Sequence, residues 1–93
     1  MSGTGFDRDR ILALLLERLG TVLAADPDDL HEDARFDQDL HADSLDLVEV
    51  IESVERTLAD EGVYVTMSDE ELVALRTVGE AADKLVELVE GEG

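Results

Sequence analysis

Asp39-Leu40-His41-Ala42-Asp43-Ser44-Leu45-Asp46 places one serine, with aspartates on both sides, where polar chain gives way to an apolar-striped helix. Beyond it Leu47, Val50, Ile51, Val54 and Leu58 fall within a narrow arc at about 100° per residue, the stripe of an amphipathic helix with one buried face. The spacing predicts a helix that starts at Asp43 or Ser44, with Asp43 as its N-cap, and is interrupted at Gly62. A serine at that junction has its hydroxyl in solvent. Beside it lie the unpaired N–H groups and partial positive charge of a helix N-terminus, which suit a covalently attached phosphate.

The same periodicity extends in both directions. Leu12, Leu15, Leu16, Leu19, Val22 and Leu23 predict a first helix from about Asp7 to Ala25, ended by Asp26-Pro27-Asp28-Asp29. A polar connection of about fifteen residues follows, longer than a structureless loop in a compact domain, with Leu30, Phe36 and Leu40 to pin it to the core. Val63-Tyr64-Val65-Thr66-Met67 alternates like a strand but has no second strand to pair with, so it reads as a loop laid along the core. Ser68-Asp69-Glu70-Glu71 and Thr77-Val78-Gly79-Glu80 have capping-box spacing. The first opens a short helix containing Leu72, Val73 and Leu75. The second opens a longer one with Val78, Ala81, Ala82, Leu85, Leu88 and Val89. The expected fold is all-α: a small four-helix bundle of three longer helices and a short third, with a long loop between helices 1 and 2. Residues 1–93 form one domain, with residues 1–6 and 91–93 as flexible ends.

The 93-residue chain has no cysteine, so neither disulfides nor thiolate metal sites hold it together. Hydrophobic residues make up 44% and aromatics only 3%, which leaves an aliphatic core worth roughly 1.5–3 kcal/mol for each fully buried large side chain. Twenty-five acids against seven bases give a net charge of −18. Such a chain repels nucleic-acid phosphates and anionic membranes, and favours positively charged protein partners. Self-repulsion makes stability rise with salt. No stretch approaches the ~20 apolar residues of a membrane span, and Met1-Ser2-Gly3-Thr4-Gly5 does not resemble a signal peptide. A cytoplasmic protein is expected.

Catalysis and metal binding fit poorly. A nucleophile elbow needs glycines around its serine, whereas Ser44 sits between Ala42-Asp43 and Leu45-Asp46. His41 has no orienting acid or oxyanion hole in view. A calcium loop counted from Asp37 fails at its sixth and twelfth positions, Ala42 and Val48. His31 and His41 lack metal-ligand spacing. No catalytic residue and no metal ligand is therefore expected. On the helical wheel, Leu45 and Val48 lie outside the buried stripe, among Asp46, Glu49, Glu52 and Glu55. An apolar pair within an acidic rim reads as a docking surface, the rim steering encounter and the pair giving close contact.

Asp39-Leu40-x-Ala42-Asp43-Ser44-Leu45-Asp46, followed by Glu49, resembles the acyl carrier proteins. The likeness continues through Asp69-Glu70-Glu71-Leu72 and Leu75-Arg76-Thr77-Val78-Gly79-Glu80, and covers roughly residues 7–90. It implies a carrier and not an enzyme, with Ser44 bearing a covalent 4′-phosphopantetheine that a phosphopantetheinyl transferase takes from coenzyme A. Acyl intermediates of fatty acid or polyketide synthesis would ride on that arm as thioesters. Asp43, Leu45, Asp46, Val48, Glu49 and Glu55 match positions that meet synthases and other acyl-processing enzymes with basic docking patches. Leu47, Val50, Ile51 and Val54, facing Ala82, would line the interior that admits an acyl chain. The chain departs from the family pattern in three places. His41 stands where glycine is common, Glu52 where an apolar contact residue is common, and Arg56 where an acid is common. The connection from Leu58 to Ser68 is also a few residues longer. Met1 and the polar end after the last helix lead us to expect a discrete, monomeric carrier. A peptidyl carrier commonly has a Gly-Gly pair ahead of its serine, which Ala42-Asp43 does not match. An unmodified acidic adaptor is the alternative from another class.

Overall fold

A computed structural model describes residues 6–92, with side chains through Gly91. It is all-helical: α1 spans Arg8–Leu23, α2 Ser44–Asp60, α3 Asp69–Val73 and α4 Val78–Glu92. α1 packs against both α2 and α4, and the short α3 sits on α2. Ile11, Leu15 and Leu19 of α1 meet the α2 stripe Leu47, Val50, Ile51, Val54 and Leu58, and Val78, Ala81, Ala82, Leu85 and Val89 of α4 close the core. No residue of this core is polar or charged.

Each helix start has an identifiable cap. Asp7 accepts from Arg10 N at 2.9 Å. Asp43 accepts from Asp46 N at 2.9 Å, and the Asp46 carboxylate reaches back to Asp43 N at 3.4 Å. Ser68 and Glu71 form the corresponding pair for α3. Each cap satisfies donors that the helix itself cannot, at about 1 kcal/mol apiece. α2 ends as Gly62 predicts. Gly62 takes φ 86°, and the N–H groups of Gly62 and Val63 return to the carbonyls of Ala59 and Leu58 at 2.9 Å, the paired bonds of a glycine-terminated helix.

Five details differ from the sequence reading. α1 stops at Leu23, before Pro27, because Ala24 takes a left-handed conformation (φ 52°); Pro27 instead opens a single 3-10 turn capped by Asp26. Leu75 lies outside α3, half-buried in the connection to α4. The Thr77 box is split: its hydroxyl accepts from Glu80 N, but the Glu80 carboxylate takes Arg76 N at 2.9 Å. Phe6, placed in the flexible end, is 4% exposed, with the Arg10 guanidinium 4.2 Å from its ring centroid; covering the ring removes a large apolar area from water. At the other end α4 continues through Gly91 to Glu92, because the helix is not broken at its glycine. The expected flexibility of residues 1–5 and 93 lies outside the described residues.

The long loop is held by its backbone. Phe36 N donates to Arg76 O, Val78 N to Ala34 O and Gly79 N to Glu32 O, at 2.8–3.0 Å. The last two bonds occupy orphan donors of α4, so the loop itself caps that helix. Gly79 permits the approach: a Cβ there would come within 2.8 Å of Glu32 Cγ. Arg8 adds a second tie, pairing with Glu32 and, at 2.7 Å, with Asp83.

Val63–Met67 runs along the core without pairing, Val63 and Met67 buried and Tyr64 exposed. Its far end is fixed by Met67 N, which donates to Glu55 at 2.7 Å. Removing that half-buried acceptor strands a backbone donor. Glu55→Ala is therefore expected to cost about 1.5 kcal/mol, while Glu55→Gln keeps most of the stability. Urea denaturation midpoints check this, and an unchanged midpoint for Glu55→Ala would contradict it.

Candidate functional site

Ser44 is the first residue of α2, and its side chain is exposed. The Asp43–Asp46 capping box sets the direction in which the chain enters the helix. No hydrogen bond among the described residues engages the Ser44 hydroxyl. Immediately upstream His41 has φ 53°, a left-handed conformation that costs a side-chain-bearing residue roughly 1–2 kcal/mol and glycine nothing. The glycine common at this position in the resemblance thus has a conformational reason, and His41 adopts the same turn at some cost.

A cleft of about 230 Å³ opens beside Ser44. Its walls are Phe36, Asp37 and Ala42 from the loop, Asp43, Ser44 and Leu47 at the start of α2, and Leu72, Val73, Leu75 and Arg76 from α3 and the segment after it. The lining is mixed, with apolar residues alongside two acids, the serine and a single cation. Leu45 (78% exposed) and Val73 (73%) are among the large apolar residues left in solvent, one on α2 and one on the cleft wall.

The predicted docking residues separate into two groups. Asp43, Leu45 and Glu49 are exposed on the first turns of α2, around Ser44. Asp46 is half-buried in the capping box, Val48 half-buried against the core, and Glu55 half-buried with its carboxylate on Met67 N. Glu55 is also roughly 16 Å along the helix axis from Ser44, at 1.5 Å per residue. Leu47, Val50, Ile51, Val54 and Ala82 all belong to one buried cluster, and of these Leu47 also lines the cleft. The α3-side wall, with Val73 and Arg76, was not singled out from the sequence. An exposed valine next to buried Leu72 in a five-residue helix was its only local signal.

Charge elsewhere on the surface is organised around other contacts. The Glu71 carboxyl is held below the ordinary glutamate range, chiefly by the Ser68 backbone N–H, with the Ser68 hydroxyl and Lys84 adding to it. Lys84 is raised, first by Glu71 and then by Glu87. Arg8 is raised by Glu32 and Asp83. Among the described residues no three His, Asp or Glu side chains converge to hold a metal ion, and no helix is long and apolar enough to cross a membrane.

The arrangement suits esterification from outside: an exposed hydroxyl, a capped helix start and a cleft for whatever is attached. Residues 13–85 match the family described as "Phosphopantetheine attachment site". An acyl carrier protein of Rubrobacter xylanophilus is 40% identical over 81 residues, covering 87% of this chain and 94% of its own length. The chain belongs to the acyl carrier protein family. An acyl carrier protein of Chlamydia trachomatis is 38% identical over 72 residues, 77% of this chain and 82% of its own. One from Petrotoga mobilis is 37% identical over 81 residues, 86% and 88%. This carrier is accordingly not an enzyme, and phosphopantetheine is its covalently attached prosthetic group.

Proposed function

We propose that this carrier holds acyl groups as thioesters on a 4′-phosphopantetheine arm attached at Ser44. It presents them, as a cytoplasmic monomer, to the enzymes of fatty acid or polyketide synthesis. The observation that carries the reading is the exposed, unengaged Ser44 hydroxyl at the first position of α2, beside a cleft with a mixed apolar and polar lining. That donor set fits the group: a hydroxyl oxygen to esterify, room for a slender chain, and a cation for its phosphate. When bound, the arm supplies a thiol that the cysteine-free chain lacks.

The chain's own residues do the rest. The Asp43–Asp46 box fixes the start of α2, so the hydroxyl is presented in one orientation to each visiting enzyme. Leu45 offers an apolar contact, with Asp43 and Glu49 as an acidic rim that attracts basic patches without binding them tightly. Leu47, Val50, Ile51, Val54 and Ala82 form an aliphatic part of the interior that parts to shelter a chain, with Ala82 small enough to leave room.

Loading tests the reading. Holo protein incubated with a medium-chain fatty acid and an acyl-activating ligase should gain one acyl group, removable by neutral hydroxylamine. The resonances of Val50, Val54 and Ala82 should move with it. Refusal of fatty acyl groups with ready acceptance of an aminoacyl group would favour the peptidyl carrier instead. Unmoved core resonances would rule out sheltering.

A further inference from the structure

Arg76 stands apart from the other six bases. Arg8 pairs with Glu32 and Asp83, Arg18 with Glu17, Arg35 with Asp37, and Lys84 with Glu71 and Glu87. Arg10 lies over Phe6; Arg56 enters no ion pair among the described residues but lines a separate hollow, away from Ser44. Arg76 is exposed, enters no ion pair among the described residues, and lines the same cleft as Ser44. In a chain of net charge −18, Arg76 is set apart by its place: it is the sole cation among the residues that line the cleft beside Ser44.

Its backbone is tied to the Ser44 segment by a short relay. Arg76 O accepts from Phe36 N at 3.0 Å, and Phe36 O accepts from Ala42 N at 2.7 Å, two residues before Ser44. On the other side Arg76 N is held by Glu80 at 2.9 Å. Both main-chain polar groups are thus fixed while the guanidinium is left uncommitted. A phosphodiester on Ser44 would add negative charge next to Asp43 and Asp37, which line the cleft too. Guanidinium is the side chain best shaped to receive it, because its planar donors match two phosphate oxygens at once.

We propose that Arg76 is a positioning residue for the prosthetic arm: its guanidinium pairs with the phosphodiester on Ser44 and anchors the root of the arm in the cleft between α2 and α3. This rests on Ser44 being the attachment site. The clasp offsets repulsion from Asp37 and Asp43 and limits the directions in which the arm leaves the protein. It dissolves when a partner's cation takes over the phosphate.

The test compares apo and holo protein by intact mass and by the Arg76 Nε–H resonance, and compares the holo proteins by the phosphorus resonance of the arm. On modification the Arg76 Nε–H signal should move downfield and exchange with water several-fold more slowly, and both changes should shrink in concentrated salt. The phosphorus resonance should shift in holo Arg76→Gln and stay near its wild-type position in Arg76→Lys, while backbone amides far from the cleft are unchanged. Full modification with an Arg76 Nε–H signal unchanged between apo and holo wild type, and the same phosphorus signal in holo wild type and holo Arg76→Gln, would overturn the clasp alone. A protein whose mass shows no phosphopantetheine, or shows it on another residue, would overturn the attachment site and the clasp with it.

Discussion

Ser44→Ala is expected to leave the chain folded and permanently at its unmodified mass. The hydroxyl is exposed and holds nothing within the described structure, so its loss removes no contact. Alanine is well tolerated at the first position of a helix, and the capping bonds belong to Asp43 and Asp46. Stability should therefore change by less than about 0.5 kcal/mol, as for surface substitutions away from special features. Modification, by contrast, should vanish entirely, because the oxygen proposed to form the ester is gone. Intact mass after incubation with coenzyme A, Mg²⁺ and a broad-specificity transferase reads the second effect, and thermal denaturation the first. A variant that still gains the arm would show that another hydroxyl is the acceptor.

Glu49→Lys should slow transfer to or from the carrier about tenfold at low ionic strength, the scale of electrostatic steering between a charged rim and its partner. Glu49 is exposed on the turn of α2 next to Leu45 and Ser44 and makes no ion pair among the described residues. The reversal replaces attraction for a basic patch with repulsion. It also removes two units from a net charge of −18, so the fold itself gains slightly from reduced self-repulsion. At about 1 M salt, where the screening length falls to roughly 3 Å, most of the difference should disappear. Initial rates of modification at two salt concentrations check this. An equal loss in dilute and concentrated salt would mean that Glu49 acts by direct contact rather than through its field.

The parts of the fold that local chemistry decides were legible in the sequence. The α2 stripe from Leu47 to Leu58, the Asp43 and Ser68 caps and the Gly62 stop each depend on residues within one or two turns, and each stands where expected. The segment Val63–Met67 was separable from a strand because pairing needs a partner that the chain does not offer. What escaped was carried by backbone groups and by contacts distant in sequence. Nothing in Glu32, Ala34 or Phe36 announces that their main chain will meet Gly79, Val78 and Arg76. The left-handed Ala24 that ends α1 ahead of Pro27 likewise has no signal in the local sequence.

The site divides in the same way. That Ser44 would open α2 followed from its neighbours. That Glu55 would be drawn inward to Met67 did not, because the helical wheel gives its direction but not the loop that comes to meet it. The cleft beside Ser44 needs α3 and the chain after it folded against the start of α2, so Val73 and Arg76 acquire their relation to Ser44 only in three dimensions.

The most direct test is peptide-level mass spectrometry of the wild-type protein after incubation with coenzyme A and transferase. One phosphopantetheine should be found, on the peptide that contains Ser44 and on that residue. The same group on Ser53, Ser68 or any other hydroxyl, or no gain in mass at all, would contradict the account.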